Sequence, residues 1–194
     1  MNNPLRGFIQ EKYEIPILRK MTPKKSFYDA LEIGCGNGNG TLLIKKHFNP
    51  AKIEAIDLDE RMINIAQQRT TDKTINFKLM DASELEYPDN SFDIIFDFGI
   101  IHHIPNWRDC ILELARVSKD GAYLLVEEVS IESFSGFPGI LWKRIFAHPY
   151  QEMFTFNEFE SYLRETGFKI LNKKRSNPLS LLKFISLIAK IDKN

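Results

Sequence analysis

The residues with the clearest chemical potential are the glycines between Gly34 and Gly40, which occupy every second position directly after an apolar segment. Glu32 lies two residues before the first glycine, and an apolar stretch that favours a helix follows the last one. Glycine is needed where a turn takes a positive φ or where the backbone touches a ligand closely. A helix N-terminus adds unpaired N–H groups and the positive end of a dipole. The pattern predicts a strand, a tight turn and a helix start that bind an anionic ligand group, with a simple sharp turn as the alternative.

Acidic residues end two further apolar segments. Asp57 closes the segment 52–57, 19 residues after Gly38, and Asp81 directly follows the segment 75–80. An acid at the first of these places accepts hydrogen bonds from ribose hydroxyls in related sheets. The alternative is that Asp57, Asp59 and Asp81 cap the helices that follow them. We favour the cap for Asp59 and ligand contact for Asp57 and Asp81.

The spacing of the glycines excludes the usual dinucleotide fingerprint, G-x-G-x-x-G. Counted from Gly34, the third glycine would stand at position 39, which holds Asn39. Counted from Gly36, it would stand at position 41, which holds Thr41. A nicotinamide dehydrogenase is therefore the least favoured class.

Hydrophobic periodicity predicts strands that alternate with amphipathic helices. The segment 92–101 is too continuously apolar for a half-exposed strand, so we expect it to be buried in the middle of the sheet. Such alternation is typical of right-handed βαβ units and a parallel sheet. The segment 179–191 fits a helical stripe or a buried strand, and we favour the strand. The predicted strands are 27–33, 52–57, 75–80, 92–101, 122–129, 168–175 and 184–190, and the predicted helices are 6–21, 40–48, 59–66, 106–118 and 157–166.

Together these motifs resemble class I S-adenosylmethionine-dependent methyltransferases. The glycine turn is similar to the first motif of that family, Asp57 and Asp81 to its acidic strand ends, and 92–105 to its fourth strand with the His-His ending. The segment 113–121 resembles its E-x-x-R-V-L-K-P-G-G, although Ser118, Asp120 and Ala122 depart from it. The resemblance runs from about residue 31 to 129. It implies a Rossmann-like three-layer α/β sandwich, with a mostly parallel seven-stranded sheet and an antiparallel last strand.

The resemblance also implies S-adenosyl-L-methionine as the cofactor and S-adenosyl-L-homocysteine as its product. Glu32 and the backbone from Gly34 to Gly38 then hold the methionine part, and Asp57 holds the ribose. Other positions flank the adenine or lie beside the methionine moiety. The implied cofactor-binding residues are Glu32, Gly34, Cys35, Gly36, Gly38, Asp57, Leu58, Met62, Asp81, Ala82 and Phe98. We interpret Cys35 itself as a small buried packing residue, and Cys110 as structural.

A general base is needed only if the methyl acceptor carries a proton to lose. His103 is our first candidate, and it is as readily interpreted as a residue that pins the loop after the fourth strand. Further candidates at the same edge are His102, Asp97, Glu128, His148 and Tyr150. No N/D-P-P-Y/F tetrapeptide is present, which disfavours the DNA and protein-glutamine substrates of amino-methylating enzymes.

We treat 1–194 as a single domain with an N-terminal helical lid, 1–26, and an aromatic acceptor lid, 130–156. Loops on a rigid sheet carry specificity, so the aromatic segment suggests an apolar or aromatic small molecule. Alternatively, half of its aromatic side chains only pack the lid onto the sheet. Lys143 and Arg144 either orient an anionic acceptor group or face water.

Composition limits the other function classes. The formal net charge is zero, with no concentrated basic face of the kind expected for a nucleic-acid binder. The two cysteines form no metal or redox motif, and no apolar run reaches the length of a membrane span. We therefore expect a cytoplasmic monomer or homodimer with no metal. Two alternatives remain, namely a protein that binds the cofactor without catalysis, and contact of residues 173–191 with a membrane that carries a lipid or quinone acceptor.

Overall fold

A computed structural model describes residues 4–23, 26–134, 152–176 and 183–193, and these contain one seven-stranded sheet. The strand order is β3-β2-β1-β4-β5-β7-β6, with β7 antiparallel to both neighbours and the other pairs parallel. The mostly parallel sheet with an antiparallel last strand is thus confirmed. The strands are β1 (Asp29–Ile33), β2 (Lys52–Asp57), β3 (Ile75–Leu79), β4 (Phe92–Phe98), β5 (Ser118–Val129), β6 (Phe168–Ser176) and β7 (Phe184–Ile191).

Helices cover both faces of the sheet, which confirms the three-layer sandwich. One apolar core lies between the sheet and the helices α5 and α6, and the other between the sheet and α2, α3 and α4. The helices are α1 (Pro4–Ile9), α2 (Ile15–Met21), α3 (Asn39–His47), α4 (Glu60–Gln68), α5 (Trp107–Val117) and α6 (Phe156–Glu165).

The central strand β4 is buried on both faces, as its continuous apolar sequence predicts. Ile94, Ile95 and Phe96 are all 0% exposed, because parallel sheets are covered by helices on both sides. The predicted end of this strand at residue 101 is wrong. Gly99 takes a φ of 79°, the chain leaves the sheet after Phe98, and Ile101–His103 form a 3₁₀ turn.

Strand β5 starts four residues earlier than predicted. Gly121 was expected to separate the helix from the strand, but β5 begins at Ser118 and contains Gly121 at a φ of 73°. The pairing with β4 shifts register between Phe92 and Ile94. An irregularity of this kind lets a glycine remain within a strand.

The predicted strand near the C-terminus is confirmed as β7. It lies between β5 and β6, and Ile185, Leu187 and Ile188 are fully buried. Residues 184–191 therefore form no amphipathic helix in the folded chain, which removes the apolar element on which the membrane hypothesis depended. Residues 179–182 lie outside the described part.

The N-terminal helix is continuous from Pro4 to Met21, but it widens in the middle. Gln10–Glu14 adopt π-helical geometry directly before Pro16. Proline has no N–H to donate and its ring clashes with the preceding turn of an α-helix, so we attribute the wider turn to Pro16. Ile15 and Leu18 are buried against the sheet, and this packing anchors the helix.

Arg116 holds the connection between β3 and β4, residues 80–91, which contains Asp81. Its guanidinium donates to the carbonyls of Leu85 and Tyr87, both at 2.8 Å. Glu113 accepts from Arg116 and from the backbone N–H of Leu85. The E-x-x-R motif on α5 therefore fixes the path of the connection.

We expect Arg116→Met to lower the free energy of unfolding by about 1–3 kcal/mol, because two carbonyls and Glu113 lose their charged partner. Urea denaturation measures this loss. Arg61→Met is the matched control, since Arg61 is exposed and pairs only with its neighbour Asp59 among the described residues. Equal stability of the two variants would contradict a clamping role for Arg116.

Candidate functional site

The glycine turn is fastened to the end of β2. The N–H of Cys35 donates to the carbonyl of Ile56 at 2.8 Å, and the N–H of Gly36 donates to Asp57 Oδ2 at 2.7 Å. Gly36 has a φ of 53°, and no heavy atom would lie within 4 Å of a Cβ at this position. The turn thus offers a fixed stretch of open backbone beside a carboxylate.

Glu32 lies directly beneath this turn and is 2% exposed. Its Oε2 accepts a hydrogen bond from Thr41 Oγ1 at 2.5 Å. A Cβ on Gly40 would stand 2.1 Å from Glu32 Oε1, so only glycine leaves room for the carboxylate at the start of α3. Burial, together with the charge of Asp57, raises the pKa of Glu32 to about 8 although Thr41 opposes the shift. A cationic ligand group would stabilise the ionised form.

Asp57 and Asp81 both take part in local backbone structure. Asp57 accepts from the N–H of Gly36 and, through Oδ1, from the N–H of Asp59 at 2.9 Å. Asp81 Oδ1 accepts from the N–H and the hydroxyl of Ser83. Each carboxylate oxygen has two lone pairs, so these bonds leave capacity for a ligand. The cap reading of Asp59 is confirmed, since Asp59 Oδ1 accepts from the N–H of Arg61.

The remaining predicted cofactor residues reach the same edge of the sheet with different exposure. Leu58 follows Asp57 and is 72% exposed, and Met62 is half-buried one turn into α4. Ala82 is buried, whereas Phe98 is half-buried next to Gly40. Gly34 and Gly38 have positive φ angles within the turn. Cys35 is buried, and burial raises the pKa of its thiol far above the usual range, which fits a packing role.

A second polar cluster lies at the ends of β4 and β5, where Asp97, Glu128 and His102 are almost fully buried. His102 Nδ1 lies 2.6 Å from Glu128 Oε2, and the backbone N–H of His102 donates to Glu128 Oε1 at 3.2 Å. His103 is half-buried, and its ring centroid lies 4.1 Å from that of His102.

Burial is the main influence on the two carboxyls of this cluster. It raises the pKa of Glu128 to about 7. It also raises the pKa of Asp97 well above its ordinary value, and the charge of Glu128 adds to that shift. The cluster therefore holds protons near neutral pH, in contact with an imidazole. The sequence indicates these residues only as separate candidates for a base, because nothing in their spacing links them.

A contact between the N-terminal helix and the glycine turn had no sequence signal. Asn39 Nδ2 donates to Gln10 Oε1 at 2.9 Å, and Gln10 is 7% exposed. A polar residue in an amphipathic helix is ordinarily assigned to solvent, so its burial against the turn is visible only in the tertiary structure.

Most of the predicted aromatic lid lies outside the described residues, including His148, Tyr150, Lys143 and Arg144. Of its described members, Phe154 and Phe156 are 1% and 2% exposed and belong to the core beneath α5 and α6. These two side chains are part of the hydrophobic core, as the alternative interpretation of the aromatic segment predicts.

Within the described ranges, no group of three or more His, Cys, Asp or Glu side chains is placed to hold a metal ion. No helix in the same part of the chain is long and apolar enough to cross a bilayer.

An α/β sheet with a glycine turn and acidic strand ends at its carboxyl edge defines a class of domains that bind nucleotide-like ligands. Residues 31–126 match the family model of a methyltransferase domain. The chain is 34% identical over 95 residues to a fatty-acid O-methyltransferase of Mycolicibacterium smegmatis. The aligned region is 49% of this chain and 35% of that protein. It is 28% identical to a 27-O-demethylrifamycin SV methyltransferase of Amycolatopsis mediterranei, over 78% of this chain and 58% of that one.

A solved S-adenosylmethionine-dependent methyltransferase from Aquifex aeolicus has the same fold, with a TM-score of 0.75 and 22% identity over 98% of this chain and 94% of that one. The chain belongs to the class I S-adenosylmethionine-dependent methyltransferase family. The cofactor of this family is S-adenosyl-L-methionine, which methyl transfer converts to S-adenosyl-L-homocysteine. The chain spans between about a third and three-fifths of the length of the two relatives named above.

Two observations show that the site suits this cofactor. The buried carboxylate of Glu32 lacks a cation among the described residues, and the cofactor carries an ammonium group. The open backbone at Gly36 leaves space for a ligand beside Asp57.

Proposed function

We propose that this protein is a methyltransferase that moves the methyl group of S-adenosylmethionine to a small, apolar molecule. The observation that carries the proposal is the buried Glu32 beneath an open glycine turn, next to Asp57, in a chain of this family. The names of two relatives, which refer to a fatty acid and a rifamycin derivative, support an apolar acceptor. A cytoplasmic location, a monomeric or homodimeric state and the single-domain organisation with two lids stay predictions.

In this proposal Glu32 accepts from the ammonium group of the cofactor, and the backbone of Gly34, Cys35, Gly36 and Gly38 lines the methionine part. Asp57 accepts from the ribose hydroxyls. The exposed Leu58 and the half-buried Met62 flank the adenine, Asp81 and Ala82 meet its edge, and Phe98 lies beside the methionine moiety.

When bound, the cofactor supplies a methyl group on a positively charged sulfur, which is already activated for in-line displacement. The protein then has to orient the acceptor and exclude water. Phe98, which is half-buried next to Gly40, provides an apolar surface for this purpose.

For an acceptor that loses a proton, the geometry favours His102 over our first candidate, His103. Glu128 Oε2 lies 2.6 Å from Nδ1 of His102. When Glu128 is ionised, Nδ1 carries the proton and Nε2 is the basic nitrogen. A carboxylate that orients an imidazole in this way also stabilises the imidazolium after proton transfer. His103 packs against the His102 ring and supports its position.

The proposal is tested by calorimetric titration with S-adenosylhomocysteine and, separately, with NAD. We expect S-adenosylhomocysteine to bind and NAD not to bind, because an ammonium group stabilises the ionised form of Glu32 and an anionic pyrophosphate does not. A methyl-transfer assay with labelled cofactor and a panel of fatty acids, phenols and quinols then identifies the acceptor. Binding without transfer to any acceptor would indicate a cofactor-binding protein, and binding of NAD alone would contradict the proposal.

The affinity for S-adenosylhomocysteine should rise with pH up to about 8, by at most tenfold per unit. Glu32 is protonated below its raised pKa in the free protein, so the ammonium group must displace one proton. Calorimetric titration in two buffers with different ionisation enthalpies measures whether one proton is released on binding. Glu32→Gln should bind more weakly and lose this pH dependence, and an unchanged pH profile in the variant would remove Glu32 from the site.

With a protic acceptor, we expect His102→Gln to lower kcat by about 100-fold or more, since general base catalysis contributes at least that much. Cofactor affinity should not change. His47→Gln at the far end of α3 is the control, and His103→Gln should have a smaller effect than His102→Gln. A larger loss of kcat in His103→Gln than in His102→Gln would indicate that His103 is the base.

A further inference from the structure

The carboxyl edge of the sheet carries a cavity that the cofactor site does not use. It has a volume of about 280 Å³ and lies where β6 ends and β7 and α6 begin. The described residues that line it are Glu132, Phe156, Arg175, Ser176 and Lys183. The walls thus combine an aromatic ring, two cations, a hydroxyl and one carboxylate.

Arg175 is held in place but retains unused donors. Its Nη2 donates to Asn157 Oδ1 at 2.9 Å and to Glu160 Oε1 at 2.7 Å. The guanidinium carbon lies 5.4 Å from the centre of the Phe156 ring. Among the described residues, Nη1 and Nε have no hydrogen-bond partner. A planar guanidinium fixed at one corner presents its other donors in the geometry that suits carboxylates and phosphates.

Glu160 is the group that fixes Arg175. Its side chain is 5% exposed and also binds Lys173 Nζ at 2.5 Å and Arg164 at 3.4 Å. Burial alone would raise the pKa of Glu160, but the hydrogen bonds from Lys173 and Arg175 outweigh it and hold the pKa below its usual value. Glu160 is therefore ionised at neutral pH.

The cations around the cavity outnumber the carboxylates. Arg164, Lys173 and Arg175 share Glu160, and Lys183 pairs with Glu132 at 2.9 Å. Of these residues, Arg175, Lys183 and Glu132 line the cavity, which leaves an excess of one positive charge there. An anionic ligand group would be attracted to this excess, whereas a neutral apolar group would not.

The sheet order sets the distance between this cavity and the reaction site. From β4, which carries Phe98, the next strands are β5, β7 and β6. Neighbouring strands are about 4.8 Å apart, so the cavity lies about 10–15 Å along the sheet edge from the end of β4. His102 and Glu128 lie between the two places, at the end of β5.

We propose that this cavity binds an anionic group, a carboxylate or a phosphate, at one end of the methyl acceptor. The methylated atom lies at the other end of the molecule, about 10–15 Å away. The acceptor is therefore amphipathic, with Phe156 beside its anionic end and Arg175 and Lys183 as the charged contacts. This inference rests on the proposed function and narrows its substrate class.

Lys173 distinguishes a ligand site from a simple set of counter-ions. It lies on β6 two residues before Arg175 and binds the same carboxylate, yet it does not line the cavity. If Arg175 serves only to neutralise Glu160, then Lys173→Gln and Arg175→Gln should behave alike. If Arg175 binds a ligand, only Arg175→Gln should affect it.

The experiment measures binding of decanoate, decyl phosphate and 1-decanol to the full chain saturated with S-adenosylhomocysteine. We expect at least one of the two anions to bind tenfold or more tightly than the alcohol. Arg175→Gln should abolish this preference, and Lys173→Gln should keep it. Preference for decanoate alone assigns a carboxylate end to the acceptor, and preference for decyl phosphate alone assigns a phosphate end.

Equal binding of the three probes, or an equal loss in both variants, would overturn the inference. Thermal unfolding of both variants shows whether each remains folded, and Arg175→Lys provides a second variant that keeps the charge but not the planar fork. S-adenosylhomocysteine binding is titrated first in the same preparations. A chain that fails that titration contradicts the proposed function, whereas a chain that passes it and shows no anion preference contradicts only this inference.

Discussion

The site depends on one buried carboxylate at the centre of the sheet. Glu32 is excluded from water beneath the glycine turn, and Gly40 must lack a side chain for Glu32 to lie there. A buried carboxyl with a single hydroxyl partner is costly to ionise, and its raised pKa expresses this cost. A ligand that brings a positive charge to this place relieves the penalty. In the proposed function, the turn therefore favours an ammonium-bearing ligand over a phosphate.

The strand order distributes three chemical tasks along one edge. The ends of β1 and β2 carry Glu32 and Asp57, and the ends of β4 and β5 carry the buried cluster of Asp97, Glu128 and His102. The ends of β6 and β7 carry the cationic cavity. Parallel strands bring their carboxyl ends to the same edge, and the antiparallel β7 contributes its first residues instead. An elongated acceptor of the kind proposed above would lie along this edge beside the cofactor.

Burial has opposite consequences for the protonation of two acidic residues outside the glycine turn, Glu160 and Glu128. Glu160 is paired with three cations and stays ionised, which leaves positive charge at its surroundings. Glu128 has an imidazole and backbone N–H groups as partners, and burial raises its pKa to about 7. The number of fixed cations around a buried carboxylate thus separates a site that attracts anions from one that exchanges protons.

The sequence by itself determined the sheet of buried strands, the glycine turn with Glu32, and the acidic ends of β2 and β3, because these signals are local and regular. The element boundaries predicted from the sequence are wrong where the backbone departs from local propensity, namely at the end of β4 and at Gly121 within β5. Only the tertiary structure decided that His102 meets Glu128, that Gln10 meets Asn39, and that Arg175 meets Glu160. These partners lie between 15 and 29 residues apart in the chain, and polar residues in amphipathic elements are assigned to solvent until packing brings them together.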